Sequence, residues 1–85
     1  MRRSSHQFYL AEEQMQRFGE KLRILRQRRD MSLRELASAL GFSSHGHITR
    51  IETGEKMPSA ELVLRIARFF DVPTDQLMKD ELELE

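Results

Sequence analysis

Cysteine and tryptophan are missing from this 85-residue chain, and proline occurs only twice. Without cysteine, the chain has neither a disulfide framework nor a thiolate metal site. No apolar run approaches the ~20 residues of a membrane span, and the basic start of the chain lacks the apolar stretch of a secretory signal. No Asn-Gly or Asp-Gly pair signals a β-hairpin. We therefore expect a cytoplasmic protein with no membrane contact.

Signs of catalysis are equally scarce. The sequence shows no nucleophile–base pair, no carboxylate dyad and no glycine-rich loop that could cradle a phosphate. We expect neither an enzyme nor a cofactor.

The formal net charge is zero, but the charges are unevenly distributed. Residues 1–56 carry eleven Lys and Arg against seven Asp and Glu, whereas residues 57–85 carry three against seven. A basic portion favours a polyanionic partner. Solvated charges without any partner are the alternative reading of the same pattern.

Apolar residues recur at helical spacing along most of the chain. Phe18, Leu22 and Leu25 predict an amphipathic first helix from about Glu12 to Arg29. Four further short helices complete an all-α bundle. Its predicted core comprises Phe18, Leu22, Leu25, Leu36, Ala37, Leu40, Ile48, Ile51, Val63, Ile66, Ala67, Phe70, Val72 and Leu77.

The second and third helices form the most informative part of the sequence. Ser32 and Glu35 have the spacing of a capping box, which predicts the start of the second helix. Gly41 tolerates a positive φ and predicts its end. Either Ser43 or Ser44 can cap the third helix.

Two isoleucines three residues apart, Ile48 and Ile51, would anchor this third helix by one face, and Gly54 would end it. The rest of its surface would face outward. Two helices joined by a sharp glycine turn make a helix-turn-helix unit.

The last two helices follow Pro58 and Pro73. Ser59 is the expected N-cap of a fourth helix that runs to about Phe70, and Thr74 is the expected cap of a short fifth helix.

Three segments together resemble the Cro/repressor-type helix-turn-helix domain, also known as the lambda-repressor-like or XRE family: MSLRELASALGF, ITRIETGEKMPS and LVLRIARFFDVPTDQL. The resemblance implies a five-helix bundle over residues 17–78. Residues 1–16 would be an N-terminal extension that continues the first helix or packs on it, and residues 79–85 an acidic tail. The implied activity is that of a transcriptional regulator, a repressor by expectation. It would bind a palindromic site in double-stranded DNA as a homodimer.

The family inserts its third helix, here residues 44–53, into the DNA major groove. Matching positions imply four base-reading residues, namely His45, Gly46, Thr49 and Arg50. Arg50 could pair with guanine through two hydrogen bonds, and the histidines could donate to guanine or to phosphate. Gly46 would mark a close backbone approach, to DNA or to the preceding helix.

Phosphate contacts are implied for six residues: Leu33, Arg34, Ser43, Ser44, His47 and Lys56. Two positions depart from the family pattern. Leu33 replaces a frequent glutamine, whose phosphate contact Arg34 could take over. Six residues, Phe42 to His47, separate the turn glycine from Ile48, where five are common.

Other readings of these residues stay open. A metal site at His45 and His47 is disfavoured, because two histidines two residues apart on a helix face different directions and no third ligand is near. Exposed histidines without a role, and a solvated Lys56, are the plainer alternatives.

The resemblance also implies a structural ion pair between Arg26 and Glu52, against the alternative of two independent surface charges. Four apolar residues exceed the core that the family needs, and they could form a dimer surface or a seat for Phe8–Leu10 and Met15: Ile24, Leu62, Phe69 and Met78.

A second hypothesis is an antitoxin-like protein-interaction module. In that case the acidic tail or the N-terminal arm would hold a partner protein, with or without DNA.

Overall fold

The computed structural model describes residues 15–85 and contains five helices there. Each helix has an apolar face that packs into the core. The helices are α1 (Phe18–Arg28), α2 (Leu33–Ala39), α3 (Gly46–Glu52), α4 (Ala60–Phe70) and α5 (Thr74–Met78). Residues 15–85 contain no β-strand. The predicted all-α, five-helix fold is confirmed.

The start of α1 lies later than its periodicity predicted. Met15 has a φ of 71°, residues 15–17 form a turn, and the Met15 N–H donates to the Met78 carbonyl at 2.9 Å. The helix therefore begins at Phe18 and not at Glu12. Residues 1–14, which include the Phe8–Leu10 segment, lie outside the described residues.

Both ends of α2 agree with the sequence prediction. Ser32 Oγ accepts from the Glu35 N–H at 3.0 Å, and Glu35 Oε1 accepts from the Ser32 N–H at 2.8 Å, which completes the capping box. Gly41 has a φ of 91°. The Phe42 N–H reaches back to the Ala37 carbonyl at 2.8 Å, as in a Schellman motif. This motif fixes the direction in which the chain leaves α2.

The cap of α3 differs from the prediction. The residue before the helix is His45, and neither Ser43 nor Ser44 caps it. The longer turn is accommodated in bends at residues 43–45 rather than in the helix. The helix ends as expected before Gly54, which has a φ of 83°.

Ser59 caps α4 as predicted, because its Oγ accepts from the Leu62 N–H at 3.1 Å. Asp71, in the left-handed conformation, ends that helix. Pro73 precedes α5 without a side-chain cap, so Thr74 is the first residue of the helix rather than its cap.

The core matches the predicted set with two exceptions. Val72 is half-buried at the margin of the core. Leu62 is only 4% exposed and belongs to the core. Its expected place on a dimer surface is therefore wrong.

Gly19 allows α1 to cross closely over the end of α3. A Cβ at this position would lie within 2.6 Å of the Glu52 carbonyl oxygen and closer still to that of Ile51. Only glycine permits this close approach of α1 to the C-terminal end of α3.

A buried lysine fastens the C-terminal residues to α1. The Lys21 side chain is fully buried, and its Nζ donates to the carbonyls of Gln76 at 2.6 Å, Lys79 at 2.9 Å and Leu82 at 2.7 Å. Burial lowers the pKa of Lys21, while the three carbonyl oxygens favour its charged form.

Two arginines extend this attachment. The Arg17 N–H donates to Asp80 Oδ1 at 2.9 Å, and Arg17 Nη1 donates to Glu83 Oε2 at 3.0 Å. Arg28 Nη1 donates to the Glu85 carbonyl at 2.8 Å. The acidic segment 79–85 therefore packs along α1.

Candidate nucleic-acid interface

The outward face of α3 carries the candidate base-reading residues. Ile48 and Ile51 are fully buried, so they anchor the helix against the bundle. Arg50 is exposed, and its guanidinium forms no hydrogen bond or ion pair with any residue in the range 15–85. The buried face of α3 therefore packs against the core, while the Arg50 guanidinium on the exposed face is available to a ligand.

His45 and Thr49 contact each other one helical turn apart. Thr49 Oγ1 donates to the His45 carbonyl at 3.0 Å and lies 3.3 Å from His45 Nδ1. Both residues are half-buried. Their orientation is therefore set before any ligand arrives.

Gly46 lies in open space. A Cβ built on it would have no atom within 4 Å apart from its immediate neighbours and its own helix. The predicted close approach to the preceding helix is therefore wrong, and an approach to DNA stays a prediction.

His47 is held by a ring contact that the sequence did not predict. Its ring stacks on Phe42, with centroids 4.7 Å apart and planes inclined by 26°. Phe42 is itself fixed by the turn after α2. Because the two aromatic residues lie on either side of an irregular turn, no periodic pattern pairs them in the sequence.

The candidate phosphate-binding residues fall around two open grooves. One groove, between α2 and the following turn, brings together Arg34, Ser43 and Ser44. The other brings His47 to Lys56. Leu33 is half-buried and packs against the core, so only its backbone N–H is suited to contact a phosphate.

The structure contains the expected pair of Arg26 and Glu52. Arg26 Nε lies 2.7 Å from Glu52 Oε2, and Nη2 lies 3.0 Å from Oε1. Arg26 Nη1 also donates to the Met31 carbonyl at 2.9 Å. The hydrogen bond with Glu52 raises the pKa of Arg26. One guanidinium thus connects α1, α3 and the residues just before α2.

The remaining dimer-surface candidates differ in exposure. Ile24 and Phe69 are half-buried, and the guanidinium carbon of Arg29 lies 5.0 Å from the Phe69 ring centroid. Met78 is 37% exposed.

Among residues 15–85, no three His, Cys, Asp or Glu residues are grouped so that they could hold a metal ion. In that same part of the chain, no helix combines the length and the apolar character needed to cross a membrane.

The pair of helices α2 and α3, joined by the glycine turn, agrees with the result of comparing the chain with known protein families. The family described as the helix-turn-helix domain matches residues 17–79. The chain belongs to this family.

Two relatives of the helix-turn-helix chain are named as repressors. The chain is 37% identical over 65 residues to the HTH-type transcriptional repressor RghR of Bacillus subtilis, with 75% of this chain and 47% of the relative covered. It is 33% identical over 63 residues to the cryptic phage CTXphi transcriptional repressor RstR of Vibrio cholerae, with 74% and 56% covered. The chain thus spans about half the length of these relatives.

Solved structures share the lambda-repressor-like fold of this helix-turn-helix domain. The restriction-modification controller protein C.AhdI of Aeromonas hydrophila is 26% identical and superimposes with a TM-score of 0.65, covering 75% of this chain and 91% of that one. The P22 c2 repressor, solved in complex with a synthetic operator, is 25% identical with a TM-score of 0.68, covering 75% and 96%.

Proposed function

We propose that this helix-turn-helix protein is a cytoplasmic transcriptional repressor that binds a palindromic site in double-stranded DNA as a homodimer. The observation that carries the proposal is the presentation of α3. Two buried isoleucines hold the helix while the guanidinium of Arg50 faces outward. The repressor names of RghR and RstR, and the operator bound by the P22 c2 repressor, support the same function.

In this proposal α3 enters the major groove, and His45, Gly46, Thr49 and Arg50 face the base edges. Arg50 contributes most to sequence choice, since a guanidinium can donate two hydrogen bonds to O6 and N7 of guanine. Gly46, with open space around it, lets the backbone come close to the bases without a side chain in between.

Phosphate contacts fix the register of the protein on the duplex without selecting sequence. One DNA strand would be contacted at its phosphates by the groove beside α2, through the Leu33 N–H, Arg34, Ser43 and Ser44. The phosphates of the other DNA strand would be contacted by His47 and Lys56 from the second groove. Each cation that neutralises a phosphate makes the affinity more sensitive to salt.

A homodimer would place two copies of α3 about 34–36 Å apart, one turn of B-DNA. The proposed dimer surface contains Met78, Ile24 and Phe69. Met78 is the most accessible of the three.

A partner protein is a less favoured second function. The acidic tail, one of the two segments that could hold a partner, is attached to α1 through hydrogen bonds from Arg17, Lys21 and Arg28. Glu83 is already paired with Arg17, which lowers its availability to a partner protein.

Selection of bound sequences from random double-stranded DNA tests the main proposal. The parent chain should select a palindrome with a guanine in each half-site. Arg50→Ala should lower the preference for that guanine by about 5- to 100-fold while weak nonspecific binding persists. Arg68→Ala removes an exposed arginine from α4 and serves as the control for lost charge.

Lys56→Ala should leave the selected sequence unchanged and reduce the slope of log affinity against log salt by about one unit. The proposed role of α3 is wrong if Arg50→Ala selects the parent palindrome with undiminished preference.

A further inference from the structure

The Thr49 hydroxyl makes two contacts with the same residue. Its Oγ1 lies 3.0 Å from the His45 carbonyl oxygen and 3.3 Å from His45 Nδ1. The family resemblance implies that these two side chains are separate base-reading groups. Because they touch, the hydrogen-bonding state of one determines what the other can offer to a ligand.

A hydroxyl has a single hydrogen to donate. A carbonyl oxygen can only accept, so the 3.0 Å contact needs the hydroxyl hydrogen of Thr49. If that hydrogen pointed to Nδ1 instead, two oxygen atoms would face each other through their lone pairs at 3.0 Å. Thr49 therefore donates to the His45 carbonyl, and its lone pair faces the imidazole.

The imidazole must then donate to Thr49. A neutral imidazole has one N–H donor and one acceptor nitrogen, and the partner of one nitrogen fixes the role of the other. With the hydrogen of neutral His45 on Nδ1, Nε2 is left as an acceptor. Nε2 has no hydrogen-bond partner anywhere in residues 15–85.

We propose that neutral His45 accepts a hydrogen bond from an amino group on a base edge, the N6 of adenine or the N4 of cytosine. These are the amino donors that the major groove displays. Thr49 is then a positioning residue, which acts on the DNA through the imidazole. The inference rests on the proposed function, and it replaces the expected donation from His45 to guanine.

The hydrogen position is measurable on the full chain without DNA. Long-range proton–nitrogen NMR spectra, recorded in a mildly alkaline buffer, distinguish the two neutral imidazole forms. We expect the Nδ1–H form for His45 in the parent and in Thr49→Ser, which keeps the hydroxyl. Thr49→Val, which removes it, should give a mixture of both forms. An Nε2–H form in the parent would overturn the inference.

The base preference is measured by selection from random double-stranded DNA in the same buffer. His45→Ala identifies the base pair that His45 contacts, because the preference at that pair alone is lost. Every base pair contains adenine or cytosine, so the amino group itself is then removed at that pair, with purine in place of adenine or 2-pyrimidinone in place of cytosine. This removal should weaken the binding of the parent more than that of His45→Ala. Thr49→Val should weaken the preference at that pair by about 3- to 10-fold, the loss expected for one hydrogen bond, whereas Thr49→Ser should retain it.

Three results would contradict the inference: an equal loss of binding in the parent and in His45→Ala when the amino group is removed, an undiminished preference in Thr49→Val, or no change at any position in His45→Ala. A parent chain that selects no sequence would overturn the proposed function together with the inference. A parent that selects a palindrome but shows any of the three results would overturn the inference alone.

Discussion

The Arg26 guanidinium forms a bidentate ion pair with the Glu52 carboxylate, through two nitrogen–oxygen contacts of 2.7 and 3.0 Å. Both side chains are largely buried, and the third guanidinium nitrogen donates to the Met31 carbonyl. Glu52 is the last residue of α3, so the pair fixes the C-terminal end of that helix. Its value lies in orientation, because burying two charges costs nearly what their attraction returns.

Arg26→Met should destabilise the fold by about 2–4 kcal/mol, because it leaves the Glu52 carboxylate buried without its main partner. Urea unfolding measures this loss. Arg23 lies 3.8 Å from the same carboxylate but is half exposed, so the control Arg23→Met should cost less than about 1 kcal/mol. Equal losses in the two variants would mean that Arg26 does not hold α3.

Gly19→Ala should lower the free energy of unfolding by about 2–3 kcal/mol, the upper range for an overpacked contact, because backbone rather than a flexible side chain opposes the new methyl group. Gly46→Ala is the matched control. Its Cβ would meet open space at the start of α3, so the variant should gain up to about 1 kcal/mol from helix propensity. Thermal unfolding of both variants checks the contrast, and a harmless Gly19→Ala would show that α1 and α3 can separate.

The sequence predicts those features whose cause is local. The capping box at Ser32 and the glycine turn at Gly41 each need only residues within one turn of helix, and both were correctly placed. The anchoring of α3 by Ile48 and Ile51 follows from their spacing. The ion pair of Arg26 with Glu52 was anticipated from family resemblance and not from any local pattern.

Features with distant partners were not predictable. Lys21 is one of eleven cations in the basic segment and no local pattern distinguishes it, since its three acceptors lie 55 to 61 residues further along the chain. The start of α1 depends on a hydrogen bond from Met15 to Met78. The pairing of Phe42 with His47 depends on the path of an irregular turn. The identity of the DNA-contacting residues remains a prediction from resemblance.

Lys21→Met should destabilise the fold by about 2–3 kcal/mol, because it removes three hydrogen bonds from a charged donor and leaves carbonyl oxygens partly shielded from water. Hydrogen exchange should show the largest loss of protection in residues 76–85. Lys79→Met, at a half-exposed lysine, serves as the control and should change stability by less than about 1 kcal/mol. Unchanged exchange in Lys21→Met would mean that the tail is held by other contacts.

Glu83 should make the attachment of the tail dependent on pH. The hydrogen bond from Arg17 lowers the pKa of Glu83 below its ordinary value of 4.5. The stabilisation from this pair is therefore fully present above pH 4.5 and is lost as the pH falls through the lower pKa of the folded state. Both groups remain accessible to solvent, so the effect is small and falls further with added salt.

A comparison of the parent with Glu83→Gln isolates this effect. Their difference in free energy of unfolding should be constant from neutral pH down to about pH 5, just above the ordinary pKa of a glutamate, and should shrink towards zero in more acidic buffers. Glu81→Gln removes an equal charge from a residue that makes no hydrogen bond or ion pair within residues 15–85. If Glu81→Gln reproduces the pH dependence of Glu83→Gln, net charge rather than the contact with Arg17 is responsible.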